Sequence, residues 1–587
     1  MERQDQMWFK QKQTEEAIVA EAGPNEVLPD DDKDPHAGTS SQEDESELFD
    51  GVKAARAITS VWSKSHMWLL LAIIYLYTYI DGLMYYTVSN LERYITSSFA
   101  AHELMNTIYL LQNIFGAVST LVISKIINIW GRIQGLIIMV IFFIIGAIIK
   151  CTSPNIQAYA AASVFYSIGK AGLGYTVSVI IADMTTLRHR MLIVAISQFA
   201  LLTNGYSASP LANRYLEHST WQWAYGTYCI LIPFLIAPMI LILWINLRKA
   251  KEMGLYTPSI SGRSTLQSLR HYIVEFDVIG VILVTAAFTL LLLPLSMAGS
   301  AANAWRSAHI IVMIIIGGLL LPVFYIWERF FAPIPYLPWK YLKRWNVISG
   351  GLAYGMMYFT TDIWDIQLGT FLQVVLNVDF TDSNYILNAY SAASYFFGPL
   401  VGYAIHATGR YKWLTLVAMP FEIVGTALLV AFRKPGTAPG LIAMTQVFVG
   451  IGGAIIPNTS QIAMMAAVTQ AEIAPVLAIY NAVGSILSSI GTTVGGAIWN
   501  SVLPKQLYKN LPDDAKNMTM DIFADMTVAL TYPMGTPTRD AINVSYGETT
   551  RIQAIVGACM MPLLLLTFIF WKDYKVINVN QTKGHVI

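Results

Sequence analysis

Asp81 and Lys170 are charged side chains set deep inside runs of hydrocarbon in a chain of 587 residues. On insertion scales a charge at that depth costs about 2.5–3.5 kcal/mol, and it is kept where it is paired or faces a water-filled cavity. Asp81 lies a little past the middle of the apolar stretch 67–90, and Lys170 near the middle of the stretch 156–182. If the first stretch runs outward and the fourth inward, the two groups reach comparable depth and an ion pair is geometrically allowed. Two readings follow. Either Asp81 takes up a coupling proton while Lys170 tunes its affinity, or the pair is static and fixes helix packing. A second set of embedded acids is Asp362 and Asp365, amid Tyr354, Tyr358, Phe359 and Trp364, and one of the two is expected to reach a cavity. Asp362 falls one helical turn beyond Tyr358 on the same face. Glu422 is expected to serve packing. Aromatics near span ends, such as Tyr85 and Tyr86, read more readily as interfacial anchors.

Other chemistries find little support. Cys151, Cys229 and Cys559 lie far apart, and the nine histidines show no ligand spacing, so no bound metal is expected. Gly169-Lys170 lacks the flanking residues of a nucleotide-binding loop, so ATP hydrolysis is not expected and transport energy falls to an ion gradient. A non-enzymatic carrier follows, without cofactor and without a nucleic-acid partner, and acting as a monomer.

The elements that position these residues are membrane helices. Apolar residues make up 55% of the chain and charged residues 13%, and the mean hydropathy is +0.50. That composition points to lipid as solvent. Fourteen stretches are long enough to cross about 30 Å of hydrocarbon. Without period-two alternation they are helices, since a backbone in lipid must satisfy its own hydrogen bonds. The fold class is an all-α membrane protein. Lys125, Arg132, Arg188, Arg190 and the basic residues from Arg248 to Arg270 gather in loops on one side. Arg93, Lys150, Arg214, Arg306, Arg433 and Lys434 fall on the other, a bias that puts both termini in the cytoplasm.

The sequons at Asn517 and Asn543 then lie in an outer loop, 503–550, and are candidate glycosylation sites. The expected divisions are an acidic disordered tail over 1–66, a six-helix bundle over 67–247 and an inserted helix pair over 248–345. A second six-helix bundle covers 346–571 and a short tail 572–587. Within the first tail, residues 52–62 read equally as a short interfacial helix or a solvated linker.

Each half repeats one signature between its second and third spans: SKIINIWGR from Ser124 to Arg132, and GYAIHATGR from Gly402 to Arg410. Gly131, Arg132, Gly402, Gly409 and Arg410 are the expected hinge residues. One hinge used twice signals a duplicated bundle whose halves face a central cavity, the arrangement of alternating access. Gly491-x-x-x-Gly495 and the cluster Gly450, Gly452, Gly453 are expected to let helices pack closely.

The two hinge copies resemble the G-x-L-x-D-R-x-G-R pattern of the major facilitator superfamily, with Ser124 and Asn128 in place of its glycine and aspartate, and His406 in the acidic place of the second copy. A narrower resemblance rests on Tyr79-Ile-Asp81, Tyr94 to Phe99 with His102, and Ala182-Asp183 running to Arg188-His-Arg190. Phe371-Leu-Gln-Val-Val375, Thr408 to Trp413, Gly496-Ala-Ile-Trp499 and Leu503 to Pro512 extend it. In this order over nearly the whole membrane region, they resemble the fungal siderophore iron transporters.

That resemblance implies fourteen helices, and proton-coupled import of an intact ferric hydroxamate through a fungal plasma membrane or a vesicular one. It also implies a functional loop after the thirteenth helix, which makes Tyr508 and Tyr532 loop candidates. Such a cargo arrives wrapped in its chelator and asks for aromatic walls with hydroxyl and amide donors, which makes Tyr79, Asn204, Tyr358, Asp362, Trp364, Gln373, Asn458, Gln461 and Asn481 the candidate contacts for it. The competing expectation is a drug:proton antiporter of the fourteen-helix branch, whose glycine-proline signature survives only in part as Gly205-Tyr-Ser-Ala-Ser-Pro210. A transporter-like receptor signalling through its tail is a third.

Overall fold

A computed structural model describes residues 49–99, 105–257, 264–297, 306–335, 339–469 and 472–576. The chain is all-helical among these residues. Its elements are α1 (Asp50–Val61), α2 (Lys64–Ser98), α3 (Met105–Trp130), α4 (Arg132–Thr152), α5 (Ile156–Met184), α6 (Leu187–Phe199), α7 (Asn204–His218) and α8 (Trp221–Glu252). Then come α9 (Thr265–Glu275), α10 (Val278–Met297) and α11 (Ala308–Ile326). The second half is α12 (Trp345–Asp365), α13 (Leu368–Val374), α14 (Phe380–Thr408), α15 (Lys412–Phe432), α16 (Pro439–Ala466), α17 (Ile473–Asn510) and α18 (Pro537–Ile569).

Eleven of these helical stretches are long and apolar enough to cross a membrane, twelve if the 45° bent pair of α9 and α10 counts as one span. The expectation of fourteen is therefore not reached on that criterion. The shortfall lies in α12 and α14, which occupy the expected ninth and tenth places. They carry Asp362, Asp365, Asp382 and a series of tyrosines that lower their apolar character.

Helix–helix approach is set by small residues. A Cβ on Gly491 would stand 2.5 Å from the carbonyl oxygen of Phe359, and one on Gly495 2.5 Å from that of Ile363, so α17 lies directly against α12. α6 and α7 form one pass interrupted by a 3-10 turn over Ala200–Thr203. The α10–α11 pair flanks the first half, where Lys125 Nζ donates to the carbonyls of Glu275 (2.9 Å) and Pro335 (3.0 Å).

The terminal segments depart from expectation. Of the presumed disordered stretch 1–66, residues 1–48 lie outside the described residues. Residues 50–61 form α1, the helical one of the two readings of 52–62, and it packs on α3 and α8. Alternating small and apolar side chains (Val52, Ala54, Ala55, Ile58) give it a buried face that the neighbouring acids hide in the composition. At the other end, residues 577–587 are outside the described set, but 571–576 dock: the Val576 N–H donates to the Gly409 carbonyl (2.9 Å) and Tyr411 Oη to that of Lys572 (2.7 Å).

The loop expected over 503–550 is shorter, since α17 continues to Asn510 and α18 begins at Pro537, with short helical turns between. Asn517 is exposed there, whereas Asn543 is buried inside α18 and so sterically closed to a glycan. Tyr508 is exposed, and Tyr532 is partly buried against the core of the second half. Of the charges counted above in loops, Lys150 lies in the last turn of α4 and Arg433 directly follows α15, and both are 1% exposed, turned into the interior.

Candidate functional site

The first-half helix α2 presents Tyr77, Asp81 and Tyr85 at a spacing of four residues, hence on one face. That face borders two cavities. The larger, about 520 Å³, is enclosed mainly by α2, α3 and α5, with Asn481 and Ser485 of α17. The smaller, about 370 Å³, lies between the halves. Asp81, Gly174, Ser178 and Asn481 line both, so Asp81 stands where the two meet.

Lys170 Nζ is 3.9 Å from Asp81 Oδ1, and the side chains are 22% and 27% exposed respectively. The same ammonium sits 4.5 Å from the centre of the Tyr85 ring. The carboxylate and the ammonium thus face one another at the cavity wall, each partly exposed.

The second cavity is walled by tyrosine: Tyr77, Tyr354, Tyr358, Tyr390, Tyr395 and Tyr480. Tyr354 stacks on Tyr480 with ring centres 3.9 Å apart, and Tyr358 meets Tyr354 edge-on at 5.0 Å. Tyr480 Oη donates to the Pro457 carbonyl in the middle of α16, next to Asn458 and Gln461, which also face the cavity. Rings, hydroxyls and amides thus dominate over charges, which suits a bulky cargo with a carbonyl-rich surface.

Beyond the cavities, the halves meet at both ends. On the hinge side, Tyr175 Oη donates to the Ala474 carbonyl, Arg188 Nε to that of His406 (3.1 Å) and Arg190 Nη1 to Met465 Sδ (3.5 Å). The His189 and His406 rings approach to 3.1 Å. Toward the other end, Asn388 Nδ2 donates to the Gly205 carbonyl (3.3 Å), and the Tyr206 and Tyr385 rings pack at 5.4 Å.

Each hinge copy is clamped by a terminal segment. Gly131 adopts φ 106°, open to glycine and strained for other residues, and it lets the chain turn directly into α4. Arg132, buried, reaches Asp183 of α5 through Nε–Oδ2 at 2.7 Å and Nη2–Oδ1 at 3.3 Å, and donates to the Gly51 carbonyl of α1 at 3.1 Å. Asn128, in the place of the superfamily's aspartate, makes no pair with this arginine; Asp183 supplies the acid instead. In the second copy, Gly409 caps α14 at φ 67°, and Arg410 stands 3.8 Å from Asp573. Gly402 lies where a Cβ would press on the backbone of Leu192 at 2.7 Å.

The sequence of the chain matches the fungal trichothecene efflux pump family (TRI12) over residues 18–564. It is 38% identical to an MFS siderochrome iron transporter 1 of Ajellomyces capsulatus over 91% of this chain and 92% of that one. It is 36% identical to the MFS siderochrome iron transporter D of Aspergillus fumigatus (92% and 90% covered) and 32% to the siderophore iron transporter mirB of Emericella nidulans (97% and 94%). The chain belongs to the fungal siderochrome iron transporter family of the major facilitator superfamily.

Members of this superfamily are carriers without enzymatic chemistry. The fold agrees: the proton:xylose symporter XylE superposes with a TM-score of 0.51 at 12% identity, covering 88% of this chain and 98% of that one. A peptide transporter, POT, bound to sulfate does so with 0.51 at 11%, covering 88% and 99%.

Of the cargo contacts expected in this transporter, Tyr358, Asn458, Gln461 and Asn481 line the cavities. Five others do not. Tyr79 is two residues from Asp81 and therefore turned away from its face, and its carbonyl accepts from Asn204 Nδ2 (2.9 Å), which makes Asn204 a packing contact between α7 and α2. Asp362 accepts from Ser488 Oγ of α17. Trp364 is fully buried, with its carbonyl bonded to Arg433 Nη2 (2.9 Å) and its ring beneath that guanidinium. Gln373 sits on the short α13 beyond the cavities. Glu422 is buried between α15 and α16 against Gly452, behind the cavity wall.

Sequence reasoning passes over Tyr77, to which the four-residue spacing from Asp81 points, and Asp183, which sits inside a quoted motif, while Tyr85, read as an interfacial anchor, lines the larger cavity. Lys150, which lines the larger cavity, carried no such signal because its position resembles a loop end.

Proposed function

We propose that this transporter imports ferric siderophores of the hydroxamate type by proton-coupled alternating access, with Asp81 carrying the coupling proton and Lys170 setting its affinity. The observation that carries this reading is the position of Asp81: at the junction of two cavities, 3.9 Å from Lys170, partly wetted between the halves. Protonation releases Lys170, and the freed ammonium and the tyrosine-lined space then receive a carbonyl-rich chelate. Gly131, Arg132, Gly402, Gly409 and Arg410 hinge the halves, and Tyr358, Asn458, Gln461 and Asn481 contact the cargo. Iron is cargo here, held by its chelator.

The hinge side faces the cytosol in this reading, both termini are cytosolic, the monomer is the working unit and the plasma membrane is the site of action. The iron-chelate cargo is supported by relatives of 30–38% identity that carry siderochrome or siderophore names. Export of a toxin by proton exchange is the second reading, favoured by the description of the matching family. Expression in a siderophore-deficient fungal strain separates them. Uptake of labelled ferric hydroxamate that a protonophore abolishes supports import, and toxin resistance without such uptake supports export.

A further inference from the structure

The repeat that duplicates the hinge also puts an acid in the first long helix of each half. Setting Gly131 on Gly409 and Arg132 on Arg410 brings Asp362 of α12 within one helical turn of the place Asp81 holds in α2. Each acid follows by four residues a tyrosine of the cavity between the halves, Tyr77 before Asp81 and Tyr358 before Asp362, and so continues that tyrosine's face. Asp362 is partly exposed.

The two acids differ in their partners. Asp81 has Lys170 at 3.9 Å, whereas Asp362 accepts from Ser488 Oγ of α17 and meets no cation among the described residues. On its own helix Asp365 adds a like charge, and the Arg433 guanidinium acts on Asp365. α14 brings Tyr390 within electrostatic reach of Asp362, Asp365 and Glu422. From α17 the titratable neighbour is Tyr480, stacked on Tyr354; α16 carries no titratable residue, and α18 meets α12 here through Gly557, with the Gln553 amide turned to the Gly495 carbonyl. A carboxylate placed among these groups is neutralised by a proton.

α17 also joins the two acids. Asn481, Ser485 and Ser488 follow at intervals of four and three residues, which makes them one stripe of the helix, and all three are partly exposed. Asn481 and Ser485 line the larger cavity with Asp81, and Ser488 donates to Asp362. The polar edge of a single helix therefore runs from the acid of the first half to that of the second.

We infer that Asp362 is a second proton-binding residue of the transport cycle, joined to Asp81 by the edge of α17 that carries Asn481, Ser485 and Ser488, so that each half contributes one proton per chelate. This rests on the reading of Asp81 above and extends it from one coupling acid to a pair.

The test is proton stoichiometry in liposomes holding the purified full chain, with a linear ferric tris-hydroxamate supplied outside: protons gained by the lumen, read with a pH-sensitive dye, are divided by labelled chelate taken up. The wild type is expected to move about two protons per chelate and Asp362→Asn about one, a twofold fall. A residue that only supports packing would lower both quantities together and leave their ratio alone. A wild-type ratio near one, or a ratio unmoved in Asp362→Asn, overturns the second site while leaving Asp81 as the coupling acid. Chelate uptake without proton movement, or no uptake at all, overturns both. A measurement on the wild type decides the matter without the variant: dicyclohexylcarbodiimide, which attaches to protonated carboxyls in apolar surroundings, is expected to mark Asp362 as well as Asp81 in peptide mass spectra. Asp81 marked with Asp362 unmarked overturns the inference.

Discussion

Removing the Arg132 guanidinium tests whether the first hinge is held by a buried charge pair. Two near-parallel contacts, at 2.7 and 3.3 Å, join it to Asp183, and the two side chains are 6% and 11% exposed. At an effective dielectric of about 20, unit charges about 3 Å apart attract by roughly 5 kcal/mol. Desolvation offsets much of that when both are present. Taking away one partner leaves the other buried and costs about 3–5 kcal/mol. Arg132→Ala also forfeits the bond to the Gly51 carbonyl, so it is expected to cost more than Asp183→Ala. The double variant is expected to lose no more than Arg132→Ala alone, a coupling at least as large as the Asp183→Ala loss, about 3 kcal/mol or more. The assay is unfolding of the purified chain in detergent micelles, run for wild type, both singles and the double. Losses that simply add would show that the two side chains stabilise the fold independently, and the hinge clamp would have to be abandoned.

Two further outcomes follow from the same structure. Gly51→Leu places a Cβ 2.4 to 2.6 Å from the Ile127 and Asn128 carbonyls and the Gly131 nitrogen, so α1 must lift from the hinge; protease cutting between α1 and α2 is expected to rise sharply, and an unchanged digestion pattern would count against the docking. Glycosidase treatment of protein made in a fungal host is expected to remove any glycan from Asn517 alone, so that Asn517→Gln abolishes a mobility shift and Asn543→Gln does not; a shift lost in the second variant would contradict the burial of Asn543.

How far the sequence carries can be argued residue by residue. Long apolar runs declare membrane helices because lipid forbids alternatives, and the duplicated glycine-arginine hinge declares two halves. Asp81 and Lys170 were legible as a pair because depth along antiparallel spans follows from residue counting. Facing is harder. Tyr79 is preferred to Tyr85 on the anchor rule for span ends, whereas the helical period puts Tyr77 and Tyr85 on the face of Asp81.

Trp364 looked like a cargo contact because it neighbours two acids, but its partner Arg433 lies 69 residues away and only tertiary packing brings it there. For residues 52–62 the sequence leaves helix and linker equally open, since mean composition over a long acidic tail masks a twelve-residue helix with one small-residue face. The burial of Lys150 and Arg433 is missed for a related reason: topology rules count charges near span ends without knowing which of them turn inward.

Proton coupling at Asp81 is measured most directly with purified chain in liposomes that hold a pH-sensitive dye, supplied with a ferric hydroxamate on one side. Wild type is expected to acidify the lumen as the chelate enters. Asp81→Asn is expected to exchange labelled for unlabelled chelate across the membrane without moving protons. An Asp81→Asn protein that acidifies the lumen at the wild-type ratio of protons to cargo would contradict the account.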